Sequence, residues 1–102
     1  MVNMMKLMKQ AASMQQNMQR LQEELAQREY EFSAGGGVVK AVVRGDMTLS
    51  RLVIDPKAVD PSDVDMLQDL VQSAVNGALQ AARDSAQSEM GKLTGGLNIP
   101  GL

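Results

Sequence analysis

Residues 38–55 read VVKAVVRGDMTLSRLVID, two apolar, β-branched-rich runs on either side of a Gly-Asp pair. Strand side chains alternate between faces, so Val39, Ala41 and Val43 share one side of the first run, and Leu52 and Ile54 share one side of the second. Gly45 at the first central position suits a two-residue turn of type II′ or I′, which predicts that 38–44 and 47–55 pair antiparallel. Immediately upstream, REYEFSAGGG (28–37) alternates charge with Tyr30 and Phe32, as a half-buried strand does. The stretch from about 29 to 55 therefore predicts a three-stranded antiparallel meander, joined by a flexible glycine connection and covered on one side by helices.

Before this sheet the hydrophobic period is helical. Met4, Leu7, Ala11, Met14, Met18, Leu21 and Leu25 recur at alternating spacings of three and four, the a/d pattern of a helix packed in a coiled-coil manner over about 4–27. Such a seam closes on a second helix of the same chain or on a partner chain. After the sheet, Asp60, Pro61, Ser62 and Asp63 read as a helix start, with Asp60 as N-cap and Ser62 with Asp65 as the alternative capping pair. Val64, Leu67, Val71, Ala74, Ala78 and Ala81 continue helically, and Leu70, Val75, Leu79 and Ala82 widen that face. This predicts a second helix over about 61–91, fading near Gly91 into a Gly/Pro-bearing tail, 92–102, that is expected to be mobile. The order α-β-β-β-α makes one α+β domain.

Composition narrows what the domain can do. With 102 residues, one Tyr, one Phe and no Trp, the core must be assembled from Met, Leu, Val and Ala, and will be thin. The chain has no Cys and no His, which excludes disulfides and thiol chemistry and removes the commonest general base and transition-metal ligand. No apolar run approaches the roughly 18 residues of a membrane span, and Lys6, Lys9 and Gln10 interrupt any signal-peptide core, so the expectation is a soluble, cytoplasmic protein with no membrane partner.

Candidate sites for small ligands fail on spacing. AGGGVV is followed by neither a Lys-Ser/Thr pair nor a helix, so it is not a phosphate loop. Asp55, Asp60, Asp63, Asp65 and Asp69 lack the ligand spacing and the glycine of a calcium loop, and helix capping explains most of them. Thioether ligation of copper(I) by the methionines is weaker than core packing as an account, because Met4, Met14 and Met18 lie on the seam, with Met5 and Met8 beside it. No cofactor, metal, small-molecule substrate or enzymatic activity is expected.

Net charge is −2, but unevenly spread. The first 22 residues hold Lys6, Lys9 and Arg20 and no acid, while the excess of carboxylates lies from Asp46 onward. With Met4 at an a position, Lys6, Ser13 and Arg20 fall at c, and Lys9 and Gln16 at f. The five form one stripe opposite the seam. Cations and neutral donors in line are what phosphate tracking requires, since Lys and Arg displace condensed counterions while Ser and Gln donate hydrogen bonds. The stripe reads either as an ordinary solvated helix face or as a contact face for double-stranded DNA, in which case Lys6, Lys9, Gln16 and Arg20 are the candidate contacts. Arg28, at the base of the first helix, and Lys92, at the end of the second, are additional candidates.

The combination of MKQAASMQQNMQRLQEELAQ (8–27), GGGVVKAVVRGDMTLSRLVIDP (35–56), DMLQDLVQSAVNGALQAARDSAQSEMGKLTGGL (65–97) and the terminal IPGL resembles the YbaB/EbfC family of bacterial nucleoid-associated proteins over essentially the whole chain. The VVKA strand, Gly45, IDP at 54–56 and DLV followed by AVNGAL carry the resemblance most clearly. It implies a cytoplasmic, tweezer-like homodimer with sheets and second helices at the joint and projecting helical arms. It also implies DNA binding with little sequence preference, and roles in nucleoid organisation or gene regulation. The family's DNA contacts follow no sharp motif, so the stripe residues rest on spacing alone, and Met4, Leu7, Met14, Met18, Leu21, Leu25, Leu67 and Val71 are the expected dimer or core seam. The rival reading is a protein-binding coiled-coil module or prefoldin-like holdase, whose Met-rich groove would take unfolded clients.

Overall fold

The computed structural model describes the backbone of residues 3–97 and the side chains of residues 3–92. Helix α1, Met4–Gln27, is followed by strands β1, Glu29–Ala34, β2, Val39–Arg44, and β3, Leu49–Ile54, and by helix α2, Val64–Leu97. The strands form one antiparallel sheet in the order β1-β2-β3, as the alternation predicts. Tyr30 pairs with Val43 and Phe32 with Ala41; Ala41 pairs in turn with Leu52. That register places Tyr30, Phe32, Val39, Ala41, Val43, Leu52 and Ile54 on one face, and Val42 and Val53 on the other. At the β1–β2 connection, Gly35, Gly36 and Gly37 all take positive φ (63°, 74° and 99°), a run only glycine adopts without strain.

Helix α2 alone covers the sheet. Ala74, Ala78 and Ala82, one i,i+4 row, are buried against Val39, Ala41 and Val43, with Leu67, Leu70, Val71, Val75 and Leu79 packed around them. Small side chains along that row let the helix axis come close to the strands, and Phe32 lies against the backbone of Gly77. The Tyr30 hydroxyl hydrogen-bonds the Ser85 hydroxyl at 2.8 Å, giving the half-buried ring a polar partner. The largest side chains fully removed from solvent are Val39 and Val43, so the core is as thin as composition implies.

Three local expectations need correction. The β2–β3 connection is a three-residue turn with a bulge rather than a two-residue one: Met47 N–H donates to Arg44 O, Arg44 N–H donates to Thr48 O, and Met47 takes a φ of 68°. Helix α2 starts at Val64, and its capping acceptor is Asp63, whose Oδ1 takes the Met66 N–H at 3.2 Å. Asp60 instead closes a tight turn on the Ser62 N–H and hydroxyl. Nor does the second helix stop at Gly91: it runs to Leu97, so the expected mobile tail is helical over residues 92–97, and residues 98–102 lie outside those described.

Candidate nucleic-acid interface

Helix α1 leaves the body rather than lying on the sheet. The Cα radius of gyration is 20.5 Å and the longest extent 77 Å, against about 13 Å for the radius of a compact domain of this size. Among its described residues none is buried. The seam grades from Met4 at 71 % exposed and Met14 at 62 % to half-buried Leu21 and Leu25 near the body. Asn3 starts the helix as N-cap, its Oδ1 accepting the Met5 N–H at 3.1 Å. An Asn directly before an apolar-periodic run is the signal by which this cap is legible in the sequence.

The five stripe residues fall on one side of this arm. Lys6, Lys9, Ser13, Gln16 and Arg20 are all exposed, and among the described residues none of the three cations makes an ion pair. Lys6 and Arg20 are separated by about 21 Å of helix at 1.5 Å per residue. Lys6, Lys9 and Ser13 also line a shallow furrow with Gln10, Met14 and Asn17, open to solvent. Helices usually carry acids in the first turn to offset the positive end of the backbone dipole; α1 carries none. Free N–H groups and lysines thus reinforce one another at the arm's tip, where an anion gains from both.

Arg28 and Lys92 sit apart from the stripe, and the fold brings them together. Arg28 Nη1 lies 3.4 Å from Glu89 Oε1, and Lys92 Nζ lies 3.8 Å from the same oxygen. Their charge is partly answered within the chain, and their geometry ties the arm's base to α2. The Glu89–Lys92 spacing of three is visible in the sequence. The Arg28 partner, 61 residues away, is not.

The β2–β3 turn completes the arm's base. Gly45 N–H donates to Arg28 O at 2.9 Å and Asp46 N–H to Ala26 O at 3.2 Å, so the turn satisfies carbonyls at the helix end. The Asp46 carboxylate accepts both the Thr48 hydroxyl and the Thr48 N–H, and these hydrogen bonds hold its pKa below the usual carboxylate range. Ser62 acts on Asp60 in the same way. Among the described residues, no cluster of three acids could hold a metal ion, and no helix is long and apolar enough to cross a membrane.

A family model described as the YbaB/EbfC DNA-binding family matches residues 1–97. A nucleoid-associated protein of Pelotomaculum thermopropionicum is 55 % identical over 100 residues, covering 98 % of this chain and 95 % of the relative. One from Desulforamulus reducens is 57 % identical over 100 residues with the same coverage. Among solved structures, the crystal structure of an uncharacterized protein from Helicobacter pylori superposes with a TM-score of 0.72 at 20 % identity, covering 92 % of this chain and 99 % of that one. This last likeness concerns the fold.

Proposed function

The chain belongs to the YbaB/EbfC DNA-binding family, and from that premise we propose that it acts as a homodimer whose α1 arms grip duplex DNA through the phosphate backbone. The family is one of nucleoid-associated DNA-binding proteins, not of enzymes. The observation that carries the phosphate reading is the stripe: three exposed cations without carboxylate partners, interleaved with Ser13 and Gln16, on an arm that stands clear of the acidic body. DNA would meet the arms first, since the carboxylates of the second half repel it. No base-reading element is needed for this mode, and a role in nucleoid organisation or gene regulation within the cytoplasm follows from it.

The dimer rests on packing. A core whose largest fully buried side chains are Val39 and Val43 stabilises a domain weakly, while Leu7, Met14 and Met18 stay exposed in the single chain. A second copy covering the seam, with the sheets and second helices at the joint, would remove that apolar surface from water. The same exposed methionines favour the alternative of a holdase groove; a seam occupied by a second copy leaves no such groove.

The test is fluorescence anisotropy of a labelled random-sequence duplex across a salt series. Three stripe cations per protomer give a dimer about six phosphate contacts and a log K against log salt slope of up to about −5. The K6E/K9E/R20E variant is expected to abolish binding while the dimer persists by light scattering. Unchanged binding would remove the stripe as the contact face, and no binding of the unmodified protein at low salt would favour the protein-client reading.

A further inference from the structure

Helix α1 joins the body through the single residue Arg28, between Gln27 and Glu29. The last carbonyls of a helix have no partner inside it, and what they bond to decides how firmly the helix end is held. Here Leu25 O accepts from Arg28 N–H at 3.3 Å, while Ala26 O and the Arg28 O that follows accept from the β2–β3 turn. Inside its own hairpin the turn uses the N–H groups of Arg44 and Met47. The N–H groups of Gly45 and Asp46 are left over, and both go to the arm.

That seating depends on residue 45 having no side chain. A Cβ built on Gly45 would lie 1.9 Å from Leu25 O, 2.9 Å from Leu25 C and 3.4 Å from Ala26 Cα. All three are backbone atoms, so no flexible side chain can swing aside. The φ of Gly45 is not positive, and hairpin geometry therefore does not itself demand glycine there. The requirement comes from the arm.

We propose that Gly45 is a positioning residue for DNA binding: by letting the β2–β3 turn seat against the last turn of α1, it sets the direction in which the Lys6, Lys9 and Arg20 stripe leaves the body. The proposal rests on the DNA-binding reading above. Two further contacts stiffen the seat, Thr48 on the Asp46 carboxylate within the turn and Glu89 on Arg28 at the arm's base. The arm has 24 residues, about 36 Å of helix, so a small tilt at its base becomes a displacement of several ångströms at its tip. Opening a 1.9 Å separation to an ordinary contact of 3.4 Å already requires about 1.5 Å of movement at the base. A two-armed binder gains affinity only while both arms reach the same duplex, and loses that gain when their geometry is wrong.

The test compares Gly45→Ala with Gly91→Ala, where an added Cβ meets nothing within 4 Å. Because the chain has no cysteine, spin labels at Ala12→Cys and Gln72→Cys report the arm-to-body distance alone, with labelled chains diluted in unlabelled ones. In G45A the distance is expected to shift or broaden by several ångströms with helix content and oligomeric state retained, and in G91A to stay as in the parent. Affinity of G45A for the random duplex should fall about tenfold or more, with the salt slope reduced toward half as one arm disengages. An unchanged label distance would overturn the latch, and a changed distance with parental affinity and slope would overturn its role in DNA binding. If the parent itself fails to bind DNA at low salt, the DNA reading falls, and the label distance still decides whether Gly45 positions the arm. Should G45A not fold, amide hydrogen exchange of the parent decides: Gly45 and Asp46 N–H protected by the arm support the seat, and exchange at the rate of open turn amides refutes it.

Discussion

The two helices put opposite kinds of apolar residue to opposite use. Helix α1 carries Met and Leu along its seam and buries none of its residues; helix α2 sinks Ala74, Ala78 and Ala82, each with at most 1 % of its surface exposed, into the sheet. Hydrophobicity alone would rank them the other way, since a buried Leu or Met stabilises more than a buried Ala. What differs is the surface each helix faces. α2 lies on a one-sided sheet that only small residues can approach closely, whereas α1 projects past the sheet and meets its own chain only near its C-terminal end, where the β2–β3 turn seats against Leu25 and Ala26. Large apolar side chains at seam spacing, left uncovered in the single chain, mark a surface built for something outside it.

The comparison breaks first at the seam. Replacing Met14 and Met18 together by Asp puts two carboxylates where a second copy is proposed to pack, and self-association is expected to weaken at least about a hundredfold. Both positions are exposed in the protomer, so its sheet and α2 should remain folded by circular dichroism. Unchanged light scattering would show that the arms take no part in the dimer and return the seam to a client groove.

Ala78→Leu probes the other helix. Three extra carbons have no room between α2 and β2, and overpacking of that kind costs about 1–3 kcal/mol. For a domain of this length that lowers the melting temperature by about 4–8 °C per kcal/mol. Melting at the parental temperature would mean that the alanine row is loosely packed and that closeness to the sheet does not explain the choice of small residues.

The smallest effect sharpens the boundary between arm and body. Asp46 is held below the usual carboxylate range by Thr48, so its contribution to the turn is fully present above about pH 4 and is lost as pH falls through the lower folded value. Acidification should therefore loosen the β2–β3 turn before the sheet melts, seen as a broadening of the arm-to-body label distance and faster exchange of the Thr48 amide. Asp46→Asn removes that titration; an identical acid response in the D46N chain would assign the loosening to other groups.

Much of this molecule is legible in its sequence. Alternation in 29–55 predicts the meander and which residues share the helix-covered face, because a strand's side chains alternate whatever lies around it. The heptad spacing predicts both the seam and the stripe opposite it. The start of α2 is not decided by local pattern, because Asp60 and Asp63 are both competent caps, and the choice between them depends on how the chain leaves β3 rather than on either residue. The turn type is hidden from local pattern for a related reason. Gly45 looks like a residue chosen for its backbone torsion, and its physical need is space.

Sequence by itself determined the element order, the apolar faces and the cation stripe, all of which follow from interactions within a few residues of chain and from the periods of helix and strand. Tertiary structure decided what those faces meet. It leaves α1 off the sheet, joins Arg28 to Glu89 across 61 residues and Tyr30 to Ser85 across 55, and seats the β2–β3 turn under the arm. These are contacts between distant segments, whose distances depend on the packing of the whole chain, and local pattern carries no record of them.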